Sequence, residues 1–157
     1  VVGRAAGTPS LPGAITFPDG TAVRPRALRR PPPPGRPDVG LYLGGRRAAT
    51  RSPIPWEHLW VHWPDFLLPA DPDAARRAVV ALHARALAGD RVEVGCGGGV
   101  GRTGTVLACI AVLAGVPAAD AVAWVRARHH PRAVETPWQR RWVRAFASWW
   151  EDGPPAV

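Results

Sequence analysis

Apolar positions follow two spacings along this chain, and the spacing changes near residue 70. Before that point they form short extended runs. In "AITFPDGTAVRPR" (14–26) two such runs flank Pro18-Asp19-Gly20, which predicts a β-hairpin. "RRPPPPGRPD" (29–38) predicts a stiff, extended surface connector. "VGLYLGG" (39–45) and "HLWVHW" (58–63) read as strands. Beyond residue 70 the spacing becomes helical. Asp71 is an N-cap, Pro72 takes the first helical position, and Gly89 ends the run, with Val79, Leu82, Ala86 and Leu87 on one face. "RVEVG" (91–95) is a short strand. A helix from Thr103 to Ala114 stops at Gly115, and Pro117 opens another through Val122, Trp124 and Val125. Thr136-Pro137 opens the last, whose stripe of Trp138, Trp142, Phe146 and Trp149 predicts core packing and leaves Trp150 exposed. Helices alternating with strands predict an α/β fold, a single domain with a central sheet flanked by helices.

Composition narrows this picture. The 157 residues suit one domain, and 46% hydrophobic residues suffice for a core. The longest apolar run, Val106 to Ala114, is too short to span a bilayer. Val1-Val2-Gly3-Arg4 is not followed by the long apolar stretch of a secretory signal. Cys96 and Cys109 do not make a disulfide framework. These features together predict a soluble cytoplasmic protein. All 20 basic residues are arginine and the net charge is +8. Heavy use of Ala, Gly, Pro and Arg fits a GC-rich, bacterial coding sequence. The charge attracts anions, but the arginines are dispersed without interleaved aromatics, so specific nucleic-acid binding is not expected.

The candidate chemistry lies in "VEVGCGGGVGRTGT" (92–105). The helix after this loop points its N-terminus back at Cys96, and unpaired N–H groups and the positive dipole end favour an anion there. Gly97, Gly98, Gly99 and Gly101 allow the backbone to curl so that several N–H groups converge. Arg102 adds a planar fork for two phosphate oxygens. The same field favours the thiolate of Cys96, which could attack phosphorus directly. A leaving oxygen needs an acid, and "HWPDFLLP" (62–69) supplies Asp65. Its apolar, proline-bracketed setting predicts a carboxyl kept protonated on a loop able to move as a lid.

Cys96 through Arg102 is C-x5-R followed by Thr103-Gly104, and Trp63-Pro64-Asp65 is a WPD triplet. On these motifs the chain resembles the cysteine-dependent protein tyrosine phosphatase superfamily, in a small bacterial form, over roughly Gly40 to Trp150. The resemblance implies hydrolysis of phosphomonoesters, most of all phosphotyrosine, on a phosphorylated protein or small phosphomonoester. It implies Cys96 as nucleophile of a phosphocysteine intermediate and Arg102 as the phosphate-gripping arginine. The N–H groups of Gly97, Gly98, Gly99, Val100, Gly101 and Arg102 complete the cradle. Asp65 is the implied general acid and later base, Thr103 the hydroxyl that helps sulfur leave, and Gln139 the residue that places the hydrolytic water. The family uses no metal or other cofactor. The implied organisation is an N-terminal hairpin and proline-rich connector (1–39) packed on a phosphatase domain (40–150), then a tail (151–157).

This chain departs from the family in two places. Gly95 stands where a histidine usually precedes the cysteine, which puts thiol tuning and loop orientation in question. No helix pattern of the expected kind follows "YLGG", a segment like a strand of dual-specificity members.

Several residues have a plainer reading. Thr103 equally suits the cap of its helix, since capping and catalysis are compatible, and Thr136-x-x-Gln139 is also a capping box. Cys109 suits core packing. His129-His130 suit a helix end or plain surface rather than a metal site. Three rivals complete the reading. Gly99-x-Gly101-x-x-Gly104 with Asp120 mimics a dinucleotide fingerprint, but Asp120 falls in a helical pattern. The nucleotide-binding G-x-x-x-x-G-K-[ST] loop fails at Cys96 and Arg102. A non-catalytic module would bind phosphate without turnover.

Overall fold

The computed structural model describes residues 9–154, so the first part of the N-terminal segment and the end of the 151–157 tail lie outside the described residues. Strands β1 (Ile15–Thr16), β2 (Ala22–Ala27), β3 (Val39–Gly44), β4 (Glu57–His62) and β5 (Val92–Cys96) form a five-stranded sheet in the order β1-β2-β5-β3-β4. β1 and β2 are the expected hairpin, antiparallel, with Ile15 opposite Val23. All other neighbours are parallel. The C-terminal ends of β2, β3, β4 and β5 therefore emerge on one edge of the sheet, where open α/β sheets bind ligands.

Helices α1 (Arg46–Arg51), α2 (Pro72–Leu87), α3 (Gly101–Leu113), α4 (Ala121–Arg128) and α5 (Pro137–Glu151) complete the fold. Helix α2 starts as predicted, with the Asp71 carboxylate accepting from the Ala74 N–H at 3.0 Å. Helix α3 starts two residues before the predicted Thr103, and every residue from Gly101 to Ala111 is buried. Beyond its polar first turn α3 is apolar on all sides, as a central helix must be, and it packs against β5, α2, α4 and α5. Asp120 closes a 3₁₀ turn (Ala118–Asp120) ahead of α4, so no second strand carries it.

Three expectations need correction. A helix does follow "YLGG": α1 has six residues and no buried side chain, which is why no apolar period announced it. Leu87 is exposed because α2 ends there and turns it outward. Trp138 is 42% exposed although it shares the stripe with buried Trp142 and Phe146. At the first turn of α5 the stripe overshoots the core, and Trp138 meets the loop after β4 instead.

The two faces of the sheet differ in chemistry. Cys96 aligns with Ala27 and Leu43 on one row, and the side-chain period of two places Val94 on the same face. The other face carries Glu93 and Gly95 beside Arg24, Arg26 and Tyr42. Glu93 is fully buried, with Arg24 Nε at 2.6 Å, Arg26 Nη1 at 3.4 Å and the Tyr42 hydroxyl donating at 2.8 Å. Burial, then the Glu93 charge, pushes the Tyr42 hydroxyl far above the usual range, so it stays a donor. Arg24 also donates to the carbonyls of Pro34 (2.6 Å) and Gly35 (2.9 Å), which fastens the proline-rich connector over this face.

Candidate active site

Cys96 is the last residue of β5, the middle strand, and its thiol is buried at the floor of a cavity of about 300 Å³. The Thr103 hydroxyl, one turn into α3, donates to Cys96 Sγ at 3.1 Å. Among the described residues, none accepts a hydrogen bond from the N–H of Gly97, Gly98, Gly99 or Val100. Gly99 is buried, Gly97 and Val100 are half-buried and Gly98 is exposed, and successive unpaired N–H groups on a turn beside a thiol form a concave nest that favours an anion. Gly99 makes the turn possible: its φ is +71°, and a Cβ there would lie 2.9 Å from the Ala27 nitrogen.

Arg102 is 6% exposed. Its Nη1 donates to the carbonyls of Trp63 (2.9 Å) and Leu43 (3.4 Å), which orients the guanidinium. Nη2 lies 3.4 Å from an Asp65 carboxylate oxygen, and Nε is buried without a partner among the described residues. With Nη1 spent on these two carbonyls, the donors of the other edge, Nε and Nη2, are not taken up by backbone acceptors among the described residues.

Asp65 follows β4, and the parallel order of the strands brings it to the same edge as Cys96. The expected apolar setting is absent. Asp65 is 39% exposed and stands between Arg102 and Arg29, the latter at 3.8 Å. Pairs this exposed contribute about 0–1 kcal/mol. Phe66 beside it has φ +61°, a left-handed conformation costing a side-chain-bearing residue roughly 1–2 kcal/mol. Neighbouring groups hold that turn. Trp138 Nε1 donates to the Phe66 carbonyl at 2.5 Å, and Trp63 Nε1 donates to the Leu67 carbonyl at 2.8 Å.

Gln139 is fully buried and completes the capping box. Its Oε1 accepts from the N–H groups of Glu135 (2.9 Å) and Thr136 (3.4 Å), while Nε2 donates to the Leu67 carbonyl at 3.4 Å. It thus ties the start of α5 to the loop that carries Asp65. Gly95 has little room for a side chain, since a Cβ there would meet the Arg26 carbonyl oxygen at 3.0 Å and Tyr42 Cδ1 at 3.2 Å. Cys109 is wholly buried in α3, and burial pushes its thiol well above the usual range.

Sequence reading missed several neighbours of the loop. Arg29 lies along Gly97, whose Cβ would meet its Cζ at 3.1 Å, and it forms one wall of the cavity. Glu135 packs on Gly101 so closely that a Cβ would clash with its carboxylate. His129, expected at a plain helix end, hydrogen-bonds the Gly99 carbonyl through Nε2 at 2.8 Å. None has a local signal, because each reaches the loop from a distant element.

Two solved structures share this architecture. Tk-PTP in the active form has a TM-score of 0.65 at 24% identity, over 87% of this chain and 97% of its own. Human DUSP28 has a TM-score of 0.53 at 18% identity, over 73% of this chain and 80% of its own. At these identities the likeness establishes the fold. Residues 69–152, from the entry to α2 through the Cys96 loop to the end of α5, match PTP-SAK, described as the DSP-PTPase phosphatase domain of Swiss Army Knife proteins. With over half its length so matched, the chain belongs to the PTP-SAK family and, through it, to the cysteine-dependent protein tyrosine phosphatase superfamily.

Proposed function

We propose that this phosphatase hydrolyses phosphomonoesters, phosphotyrosine foremost, through a phosphocysteine on Cys96. The observation that carries the reading is the set of N–H groups from Gly97 to Val100 beside Cys96 that are unpaired among the described residues, with Arg102 Nε likewise lacking a partner among them. Three phosphoryl oxygens would accept from those donors, leaving phosphorus in front of the sulfur. The thiolate attacks, the P–O bond to the leaving group breaks, and Asp65 gives its proton to the departing oxygen. Asp65, now a carboxylate, takes a proton from the water that attacks the phosphocysteine. The sulfur leaves as a thiolate stabilised by the Thr103 hydroxyl at 3.1 Å. Gln139 positions the loop bearing Asp65, and placing the water remains its second proposed role. Phe66, exposed at the cavity mouth, offers a face for an aryl leaving group.

The dual-specificity type of the family favours a second reading, in which phosphoserine and phosphothreonine peptides are also substrates. The test is hydrolysis of an aryl phosphate by reduced protein in chelator, beside Cys96→Ser and Asp65→Ala, followed by the three phosphopeptide types. Turnover should vanish in Cys96→Ser. It should fall about 10²–10⁴-fold in Asp65→Ala with phosphate affinity kept. Absence of turnover from the folded wild type would leave a phosphate-binding module. Equal rates on all three peptides would favour the broader specificity.

A further inference from the structure

We propose that His129 is a positioning residue of the phosphate loop: its Nε2–H holds the Gly99 carbonyl outward so that the Val100 N–H faces the phosphate. The inference rests on reading this loop as a phosphate cradle. A carbonyl oxygen only accepts hydrogen bonds, so the 2.8 Å contact requires the proton on Nε2. Burial holds the imidazole below its usual range, against the opposing pull of the Gly99 bond, so the neutral Nε2–H form serves at neutral pH.

In a trans peptide the C=O and the following N–H point in opposite directions. Pinning the Gly99 oxygen toward α4 therefore turns the Val100 N–H the other way, to the side where Val100 lines the Cys96 cavity. Were the peptide to rotate, the cradle would lose a donor and present a carbonyl dipole to an anion. Glycines at 97, 98 and 99 make such rotation cheap, so this loop needs an external lock.

The lock has a firm base. His129 is the C-cap of α4, and its backbone N–H donates to the Val125 carbonyl. Nearby, Arg126 binds the carbonyls of Ala133 (2.8 Å) and Val134 (2.9 Å), and Ala133 packs against Gly104 of α3. The position before the cysteine cannot do this work, because Tyr42 and Arg26 occupy the space around Gly95.

The test is titration of ¹⁵N-labelled protein with inorganic phosphate, following the Val100 amide, in wild type, His129→Ala, His129→Leu and His129→Gln. Leu fills the volume without a donor, and Gln can place a side-chain N–H near the same carbonyl. Phosphate affinity should fall about tenfold in Ala and Leu, with the Val100 shift lost, and Gln should recover most of both. Ala or Leu binding phosphate within twofold of wild type, with Val100 shifting alike, overturns the proposal. So does a folded Gln variant as weak as Leu. A wild type that binds no phosphate overturns the cradle reading, and this inference with it.

Discussion

Gly99→Ala tests the left-handed turn of the thiol loop, and its cost follows from two separate terms. The backbone φ of +71° costs alanine roughly 1–2 kcal/mol. The new Cβ would also lie 2.9 Å from the Ala27 nitrogen and 3.0 Å from Ala27 Cα and Cβ. These are mostly backbone atoms of β2, hydrogen-bonded along β5, so they yield only if the sheet moves. Overpacking of this kind costs typically about 1–3 kcal/mol. The sum, about 2–5 kcal/mol, is a large share of the roughly 5–15 kcal/mol that holds a domain together. Gly98→Ala is the control inside the same loop. Its φ is ordinary and the nearest outside atom is Arg29 Nη1 at 4.0 Å, so stability should change by less than about 1 kcal/mol. Urea unfolding of both variants reads the difference, and phosphate titration reads whether the loop has shifted. Coincident unfolding midpoints for the two variants would refute the assignment of Gly99 as the crowded, left-handed turn.

Two further changes probe the surroundings. Trp138→Phe keeps the ring and removes the donor to the Phe66 carbonyl, so the Asp65 loop loses one net hydrogen bond of about 0.5–1.5 kcal/mol. Turnover should fall about two- to tenfold with little change in phosphate affinity; an unchanged kcat would show that the bond does not hold the loop. Glu93→Gln removes the charge facing Arg24 and Arg26 and should cost about 3–5 kcal/mol by urea unfolding. A loss below about 1 kcal/mol would mean that the connector carbonyls of Pro34 and Gly35 satisfy Arg24 without it.

The sequence made legible what acts over a few bonds. Asp71 and Thr136 cap their helices where their spacing predicted, and the strand–loop–helix around Cys96 stands as read, because caps and glycine turns are local chemistry. Asp65 of the Trp63-Pro64-Asp65 triplet lines one cavity with Cys96, and only the parallel strand order explains how. The polar surroundings of Asp65 were not legible, since Arg29 and Arg102 arrive from other elements. The same holds for Trp138, where a helical stripe gives direction but not the edge of the core. Glu93 looked like any residue of a short strand. Its neutralisation by Arg24 and Arg26 depends on β2 pairing with β5, a long-range register that no local pattern encodes.

The strand order also divides the site by stability. Cys96 ends the central strand and leads into the wholly buried first turns of α3, whereas Asp65 lies beyond β4, an edge strand whose outer residues are largely exposed. The hydrogen-bonded amides of β5 and of α3 beyond its first turn should exchange only through global unfolding, and those of residues 64–68 through cheap local opening. Mild denaturant would then free the acid loop first. On the proposed mechanism the protein would pass through a state that still captures phosphate but no longer delivers a proton, losing turnover before it loses its fold.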